Sequence, residues 1–597
     1  MNGAETLVHT LLDGGVDVCF ANPGTSEMHF VAALDKIAGM RCVLGLFEGV
    51  VTGAADGYYR IADRPAATLL HLGPGLANGL ANLHNARKAG SGIVNVVGDH
   101  ASAHLQLDAP LTCDIATLAR PMSHWVHSTA SASTVAEDGR QAMRQANMRP
   151  GRIATLILPA DAAWSEAGHA VAPGASLEWS RAPNAPVERP RAPNAALDRP
   201  YSPNASVEPS RVAPNAPVEH AHAQAGLVPR QPAAAVPLAL PQAPEWMADQ
   251  LASAAMALRR GPSTLLLLGG RALRADATRW AGRVAAATGC ALMSEFYGAR
   301  IERGAGRVIV PRLPYAVDPS LAALAPFDRI VLVGAKPPVA FFAYPGKPGK
   351  LSRADCQCIE LATPEHDLEQ TLRALCEALG AGIHGAAGPG RIAERIGSAA
   401  RAAALAGSGL ASAALPDGTL DAAGIGRVLA ALIPDNAIVV DEAVSTGRGF
   451  DGATVGAAPH DWLTGCGGSI GFALPVAVGA AIAAPDRKVL ALEGDGSGMY
   501  TLQSLWTMVR EGLNVTLLIF ANRSYQILRG EFSQVGAGVP GQRATDMLSL
   551  DRPTLDWVTL ARGMGMQASR ASDLASLGKQ LQHALAADGP CLVEVIL

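Results

Sequence analysis

"LALEGDGSGMYTLQSLWTMVREGLNVTLLIFANRS", residues 490–524, holds two apolar runs of strand length, separated by a Gly-Asp-Gly turn and a stretch with helical spacing. Short aliphatic runs bounded by turn residues are the pattern of strands buried on both faces. A strand, a crossover helix and a second strand in one sheet make a parallel pair, because the crossover is right-handed and returns the chain to the same edge. The carboxyl ends of the two strands then lie side by side, so Asp495 and Asn522 face one crevice. The turn Gly494, Asp495, Gly496 and Ser497 is expected to open the helix, whose free N–H groups suit a phosphate. Oxygens from Asp495 and Asn522 beside a phosphate suit a hard cation such as magnesium. Taken alone, Gly-Asp-Gly also fits a strand-to-helix turn with a capping aspartate.

The same layout recurs along the chain. Apolar runs within "VDVCFANPGT", "RCVLGLFEG", "AATLLHLGPG", "GIVNVVGDH" and "IATLILP" alternate with helix-like stretches in the first 170 residues. "NAIVVDEAVST" and "CLVEVIL" extend the pattern around the opening segment, and "STLLLLGGRAL", "CALMSEFYGA", "RIVLVGAK" and "CQCIELA" form a third set between them. The spacing predicts three α/β units with doubly wound parallel sheets, over residues 1–170, 241–400 and 415–597. No G-x-G-x-x-G follows a strand of the middle unit, so FAD is not expected there. Residues 171–240 differ from everything around them. They carry a ten-residue period, "RAPNAPVERP", "RAPNAALDRP", "YSPNASVEPS", whose prolines exclude helix and central strand. This segment is expected to be a Pro-rich linker that buries almost nothing.

Composition narrows the function classes. Of 597 residues, 49% are hydrophobic and 17% charged, enough apolar side chain to fill several cores. A net charge of -4 gives no footprint for nucleic acid or an anionic membrane. Nine scattered cysteines with no Cys-x-x-Cys indicate neither a disulfide framework nor a zinc site. The amino-terminal stretch "MNGAETLVHTLLDGGVDVCF" is amphipathic and lacks a basic leader region, and a cytoplasmic location is expected.

Gly494-Asp495-Gly496 followed after 25 residues by Asn522 resembles the diphosphate-binding signature of thiamine diphosphate (ThDP) enzymes. Ala521 stands where that family usually has a second asparagine. "CGGSIGFALPVAVGAA" is similar to the segment before the diphosphate site in acetolactate synthase large subunits and benzoylformate decarboxylases. The resemblance implies domains of the ThDP-enzyme type, with ThDP and Mg2+ as cofactors. It implies metal ligation by Asp495, Asn522 and the backbone oxygen of Ser524, and a supporting wedge under the cofactor from Ile470. It also assigns to Glu48, in "RCVLGLFEGVVTGAADGYYR", the catalytic carboxyl group that hydrogen-bonds the cofactor's aminopyrimidine, a task that needs a held and desolvated carboxyl. Read by itself, Glu48 is also a dipole partner at a helix start. Since the family's two cofactor-binding domains meet across subunits, a homodimer or homotetramer with active sites at the interface is implied.

"FANPGTSE" is similar to a loop of benzoylformate decarboxylase, which places Thr25, with Ser26 adjacent, near the substrate carboxylate. "TLLHLGPG" puts His71 at the position of that enzyme's active-site histidine, and His100 and His104 follow another strand end. The expected function is non-oxidative decarboxylation of a 2-oxo acid with possible carboligation, the cofactor carrying the difficult chemistry. The stretch "NRSYQILRGEFSQVGAG" has no tryptophan at the acceptor position of acetolactate synthases, so aldehyde and carbon dioxide are the expected products. An acetolactate synthase-type carboligase is the alternative. A catalytically silent binding or regulatory subunit is a third, opposed by the joint presence of Glu48, His71, Asp495 and Asn522.

Overall fold

The computed structural model describes residues 1–168, 246–381 and 415–597; the linker expected over 171–240 lies outside the described residues. Three sheets organise the described chain. In the first, β1 (Val18–Asn22), β2 (Arg41–Leu44), β3 (Ala66–Leu70), β4 (Ile93–Asp99), β5 (Trp125–Ser128) and β6 (Ile153–Pro159) are all parallel, in the order β2-β1-β3-β4-β6-β5. The order in which strands are added changes sides at β1, with β2 on one flank and β3 on the other. The carboxyl ends of β1 and β3 therefore part to leave a crevice, with Asn22 in register with Leu70.

The middle sheet contains β7 (Thr264–Leu268), β8 (Ala291–Ser294), β10 (Arg329–Val333) and β11 (Gln357–Ala362), in the order β11-β10-β7-β8. The intervening strand, β9 (Ile301–Arg303), leaves this sheet and pairs antiparallel with the edge of the third. That third sheet consists of β12 (Ala437–Glu442), β13 (His460–Thr464), β14 (Val489–Gly494), β15 (Val515–Ala521), β16 (Gln567–Ala571) and β17 (Cys591–Ile596), in the order β16-β17-β15-β14-β12-β13-β9. β14 and β15 are direct parallel neighbours, with Gly494 opposite Phe520. Asp495 and Asn522 are each the first residue beyond their strand, on the same edge of the sheet.

Three helices join the first and third sheets: α1 (Glu48–Ala62), α2 (Leu72–Ala89) and α3 (Ala473–Ala483). Helix α3 is apolar on every side, and Ala473 through Ile482 are all buried, as a helix enclosed by protein requires. Its contact with α1 is backbone to backbone. A Cβ on Gly57 would stand 2.1 Å from the Val476 carbonyl oxygen, and one on Gly479 would stand 1.8 Å from that of Ala54. The small residues of both helices thus serve close approach. Buried Asp56 and Arg60 of α1 form an ion pair at 2.6 Å, and Arg60 donates at 2.7 Å to the Thr464 carbonyl at the end of β13. All nine cysteines are free thiols. No helix among the described residues is long and apolar enough to cross a membrane.

Candidate functional site

The Gly-Asp-Gly turn opens a helix at Asp495, as its sequence suggests, but only for one turn. A single turn, Asp495–Gly498, follows β14, and the helix α4 (Ser504–Arg510) begins only after a further loop. Asp495 is 3% exposed, and burial pushes its carboxyl up to about 6. One oxygen, Oδ2, accepts the Arg523 N–H at 2.6 Å, and the other accepts the N–H of Gly496 at 3.0 Å. Arg523 has left-handed backbone, φ 55°, which brings its N–H to Asp495. Asn522 accepts the Ser524 N–H at 3.0 Å through Oδ1 and donates to Ser445 Oγ at 3.3 Å. Asp495, Asn522 and Ser524 therefore meet in one loop cluster. No group of three His, Cys, Asp or Glu side chains suited to a metal occurs among the described residues; the ligand set implied above mixes one carboxylate, one amide and one backbone oxygen. A buried carboxylate whose charge is disfavoured by burial is a fitting place for a cation, which would restore that charge.

Glu48 is the first residue of α1 and is 7% exposed. Asn78 of α2 donates to its Oε2 at 3.0 Å, and glycine at position 75 leaves room beside Oε1, where a Cβ would come within 3.1 Å. His71 lies at the start of α2, just ahead of Leu72, whose φ of 45° is costly for a branched residue and marks a turn held by its surroundings. Its Nδ1 donates to Glu27 Oε2 at 2.7 Å, and the same oxygen accepts the Gly24 N–H at 2.8 Å. Gly24 lies against the imidazole, where a Cβ would fall 2.3 Å from Nδ1, so the Asn-Pro-Gly loop requires glycine there. Thr25 is exposed and Ser26 half-buried in the turn that carries Glu27. His71, Thr25, Ser26 and Glu27 thus gather at the β1/β3 crevice. His104 is exposed, and its ring stands 5.3 Å from that of His100, whose Nε2 is buried without a partner.

Ile470 is half-buried in a loop tied on both sides. Asn85 of α2 exchanges hydrogen bonds with Ser469, and the Asn82 amide donates both to Gly49 O at 2.8 Å and to Gly471 O at 3.4 Å. A single side chain thereby links the residue after Glu48 to the residue after Ile470. From the other side, Glu442 accepts the N–H groups of Gly471, Phe472 and Ala473. Glu442 ends β12 and is in register with Glu493, next to last in β14; the two carboxyls lie together, both raised by burial. Glu442, facing three donors, is the better seat for the charge, and Glu493 for the proton. Sequence reading missed Glu27, Glu442 and Glu493; the available signal was a carboxylate near the carboxyl end of a strand or in the turn that follows it.

A cavity of about 730 Å3 lies at the carboxyl-terminal ends of α1 and α2, lined by Arg60 and Lys88 among others, and none of the site residues named above lines it. It runs from the carboxyl edge of the middle sheet, at Gly270 and Gly334, to Arg87 and Cys466, and Phe341 stands in its wall.

The description of the N-terminal TPP binding domain of thiamine pyrophosphate enzymes matches residues 1–121, and that of the C-terminal TPP binding domain matches residues 453–595. The chain is 44% identical, over 100% of its length and 99% of the relative's, to the "Putative acetolactate synthase large subunit IlvX" of Mycobacterium tuberculosis. It is 30% identical to the benzoylformate decarboxylase of Pseudomonas aeruginosa, over 97% of this chain and 96% of that protein. Among solved structures, the thiamine diphosphate-dependent 4-hydroxybenzoylformate decarboxylase of Rhodococcus jostii RHA1 superposes with a TM-score of 0.72 at 22% identity, covering 100% of this chain and 98% of that one. The benzoylformate decarboxylase of Polynucleobacter necessarius gives 0.71 at 21% identity, covering 100% and 99%. These two show a common fold.

Proposed function

Since the chain belongs to the family of thiamine diphosphate-dependent enzymes that includes acetolactate synthase large subunits and benzoylformate decarboxylases, and is an enzyme of that decarboxylase and carboligase class, we propose that it removes carbon dioxide from a 2-oxo acid and joins the remaining acyl unit to a second carbonyl compound. The observation that carries this reading is the end-to-end identity of 44% to the acetolactate synthase-type relative, against 30% to the benzoylformate decarboxylase. It outweighs the expectation of aldehyde release drawn from the missing tryptophan.

Bound thiamine diphosphate supplies a nucleophilic carbon and an electron sink for the departing carboxylate. The chain's own residues supply position and charge. In this proposal, oxygens of Asp495 and Asn522 and the Ser524 carbonyl hold Mg2+, and Gly494, Gly496 and Ser497 line the diphosphate. Ile470 supports the cofactor from its tethered loop, and Glu48 hydrogen-bonds the aminopyrimidine. Thr25 and Ser26 orient the substrate carboxylate, and His71, steadied by Glu27, holds or delivers a proton at its Nε2. The assembly proposed is a homodimer or homotetramer with active sites at the subunit interface, in the cytoplasm. Flavin is left out on sequence grounds, and a visible absorbance spectrum of the purified protein tests that omission.

A second reading, protonation to a free aldehyde, is favoured by the 2.7 Å contact of His71 with Glu27, which places an oriented imidazole at the crevice. Product analysis with pyruvate and a panel of larger 2-oxo acids separates the two. Acetolactate or another acyloin as the dominant product is expected; carbon dioxide with stoichiometric aldehyde instead would replace the carboligase reading with the decarboxylase.

A further inference from the structure

A second cavity, of about 490 Å3, lies on the far side of the third sheet's edge, between the segment that carries β9 and the residues from Gly449 to Val455. None of its lining residues belongs to the site described above. Its polar wall is dominated by three guanidinium groups, those of Arg303, Arg307 and Arg312. Two carboxylates, Glu302 and Asp451, also line it, and each is engaged. Glu302 accepts the Ala275 N–H at 2.8 Å and pairs with Arg300 at 3.0 Å, while Asp451 pairs with Arg312 at 3.2 Å.

Arg307 is exposed, and Arg312 is paired with Asp451; Arg303 is half-buried and paired with no carboxylate among the described residues. It ends β9, its guanidinium stacks 5.0 Å from the centre of the Trp462 ring, and it donates to the Asp451 carbonyl. No carboxylate oxygen among the described residues lies within ion-pairing distance of it. A cation held against an aromatic face with only a carbonyl for a partner retains donors for an incoming anion, and a guanidinium matches a carboxylate in two-point geometry. Leu273, Val308, Val310 and Val455 give the wall an apolar part, and the hydroxyls of Thr278 and Ser294, also in the wall, are spent on the Ala275 and Glu295 carbonyls. Gly449 and Gly452 open onto free space, since a Cβ on either would meet no atom within 4 Å. The volume is that of a small-molecule pocket.

We propose that this cavity binds a small organic acid, its carboxylate on Arg303 and its apolar body against Val308, Val310 and Val455. The occupant is recognised by a carboxylate joined to a branched or cyclic apolar group, chemistry shared by the larger 2-oxo acids and by unreactive acids of the same shape. The apolar wall excludes a bare inorganic anion as the preferred ligand, because such an anion leaves that wall uncovered.

Isothermal titration of the full-length protein with isovalerate, and separately with sulfate, tests the site. Saturable binding of isovalerate and none of sulfate is expected. Arg303→Gln should weaken isovalerate about tenfold or more, which is about 1.4 kcal/mol. Gly452→Leu should abolish binding by filling the space, and His71→Ala should bind as the unaltered protein does. Circular dichroism of each variant checks its fold, and Gly452→Leu decides the matter if Arg303→Gln fails to fold. A flat titration with isovalerate overturns the proposal, as does unchanged affinity in both cavity variants. Loss of binding in His71→Ala also overturns it, by moving the acid to the other site.

Discussion

Glu27 and His71 form a contact that sequence spacing does not announce, because 44 residues separate them and only the β1/β3 crevice joins them. The carboxylate fixes which imidazole nitrogen carries the hydrogen, leaving the other to face the site. Glu27→Gln keeps the size but offers a neutral amide in place of the charge. Steady-state kinetics should show kcat lower by about ten- to a hundredfold, with KM changed far less. Glu295 gives a second test at this scale. Burial raises its carboxyl from the ordinary 4.5 to about 7, although it accepts the Lys336 N–H at 2.8 Å. Between those values the native state keeps a proton that the unfolded chain has released, so stability falls as pH rises through the window, and the penalty is complete above it. Glu295→Gln retains an acceptor for Lys336 and removes the titration. Urea denaturation near pH 5 and near pH 8 should show a flatter pH dependence for the variant, with a gain over the unaltered protein at the higher pH.

Among elements, the α1 and α3 pair is the tightest test of packing. Gly479 meets the Ala54 carbonyl on backbone that belongs to another helix and cannot rotate away as a side chain would. Gly479→Val should destabilise the protein by about 3 kcal/mol or more, read as a lowered denaturation midpoint. The small-residue stretches of both helices were plain in the sequence; which glycines touch was not. Strand recognition divides along the same line. The continuous apolar runs of β1, β3, β4, β6, β7, β10, β14 and β15 announced themselves, while β5 "WVHS", β13 "HDWLT" and β16 "QASRA" carry polar residues that hide them. β5 and β16 are edge strands, half exposed, and need no apolar run. In β13 the polar residues are buried, and the pairing of Asp461 with Arg487 at 2.7 Å is compensation invisible in the sequence.

At the scale of the whole molecule, the three sheets are less separate than three apolar segments suggest. β9 leaves the middle segment to extend the third sheet, and Arg60 ties the first segment to β13. The proposed subunit arrangement can be tested by mixing chains. If Glu48 of one subunit serves the cofactor held by Asp495 of its partner, a hybrid of Glu48→Gln and Asp495→Asn chains has one site with both changes and one with neither. Co-refolded or co-expressed mixtures should then regain about a quarter of normal activity from two inactive parents. No recovery in confirmed hybrids would place both residues of each site in one chain.

What the sequence determined by itself is local or periodic. Alternation of apolar runs with helical stretches specified α/β architecture, and the spacing from Asp495 to Asn522 placed both just past the carboxyl ends of parallel strands, because a right-handed crossover returns the chain to the same edge. Glu48, at the end of a strand-like run and the start of a helix of small residues, was legible for the same reason. Tertiary structure decided the rest. It limited the helix opened at Asp495 to a single turn, set Glu27 on His71, joined Glu442 to the Ile470 loop, and turned β9 toward another sheet to leave Arg303 beside a cavity. Each of these depends on groups far apart in the chain whose pairing or burial is fixed only when the cores close. Periodicity reports which face of an element is apolar and carries no record of what that face will meet.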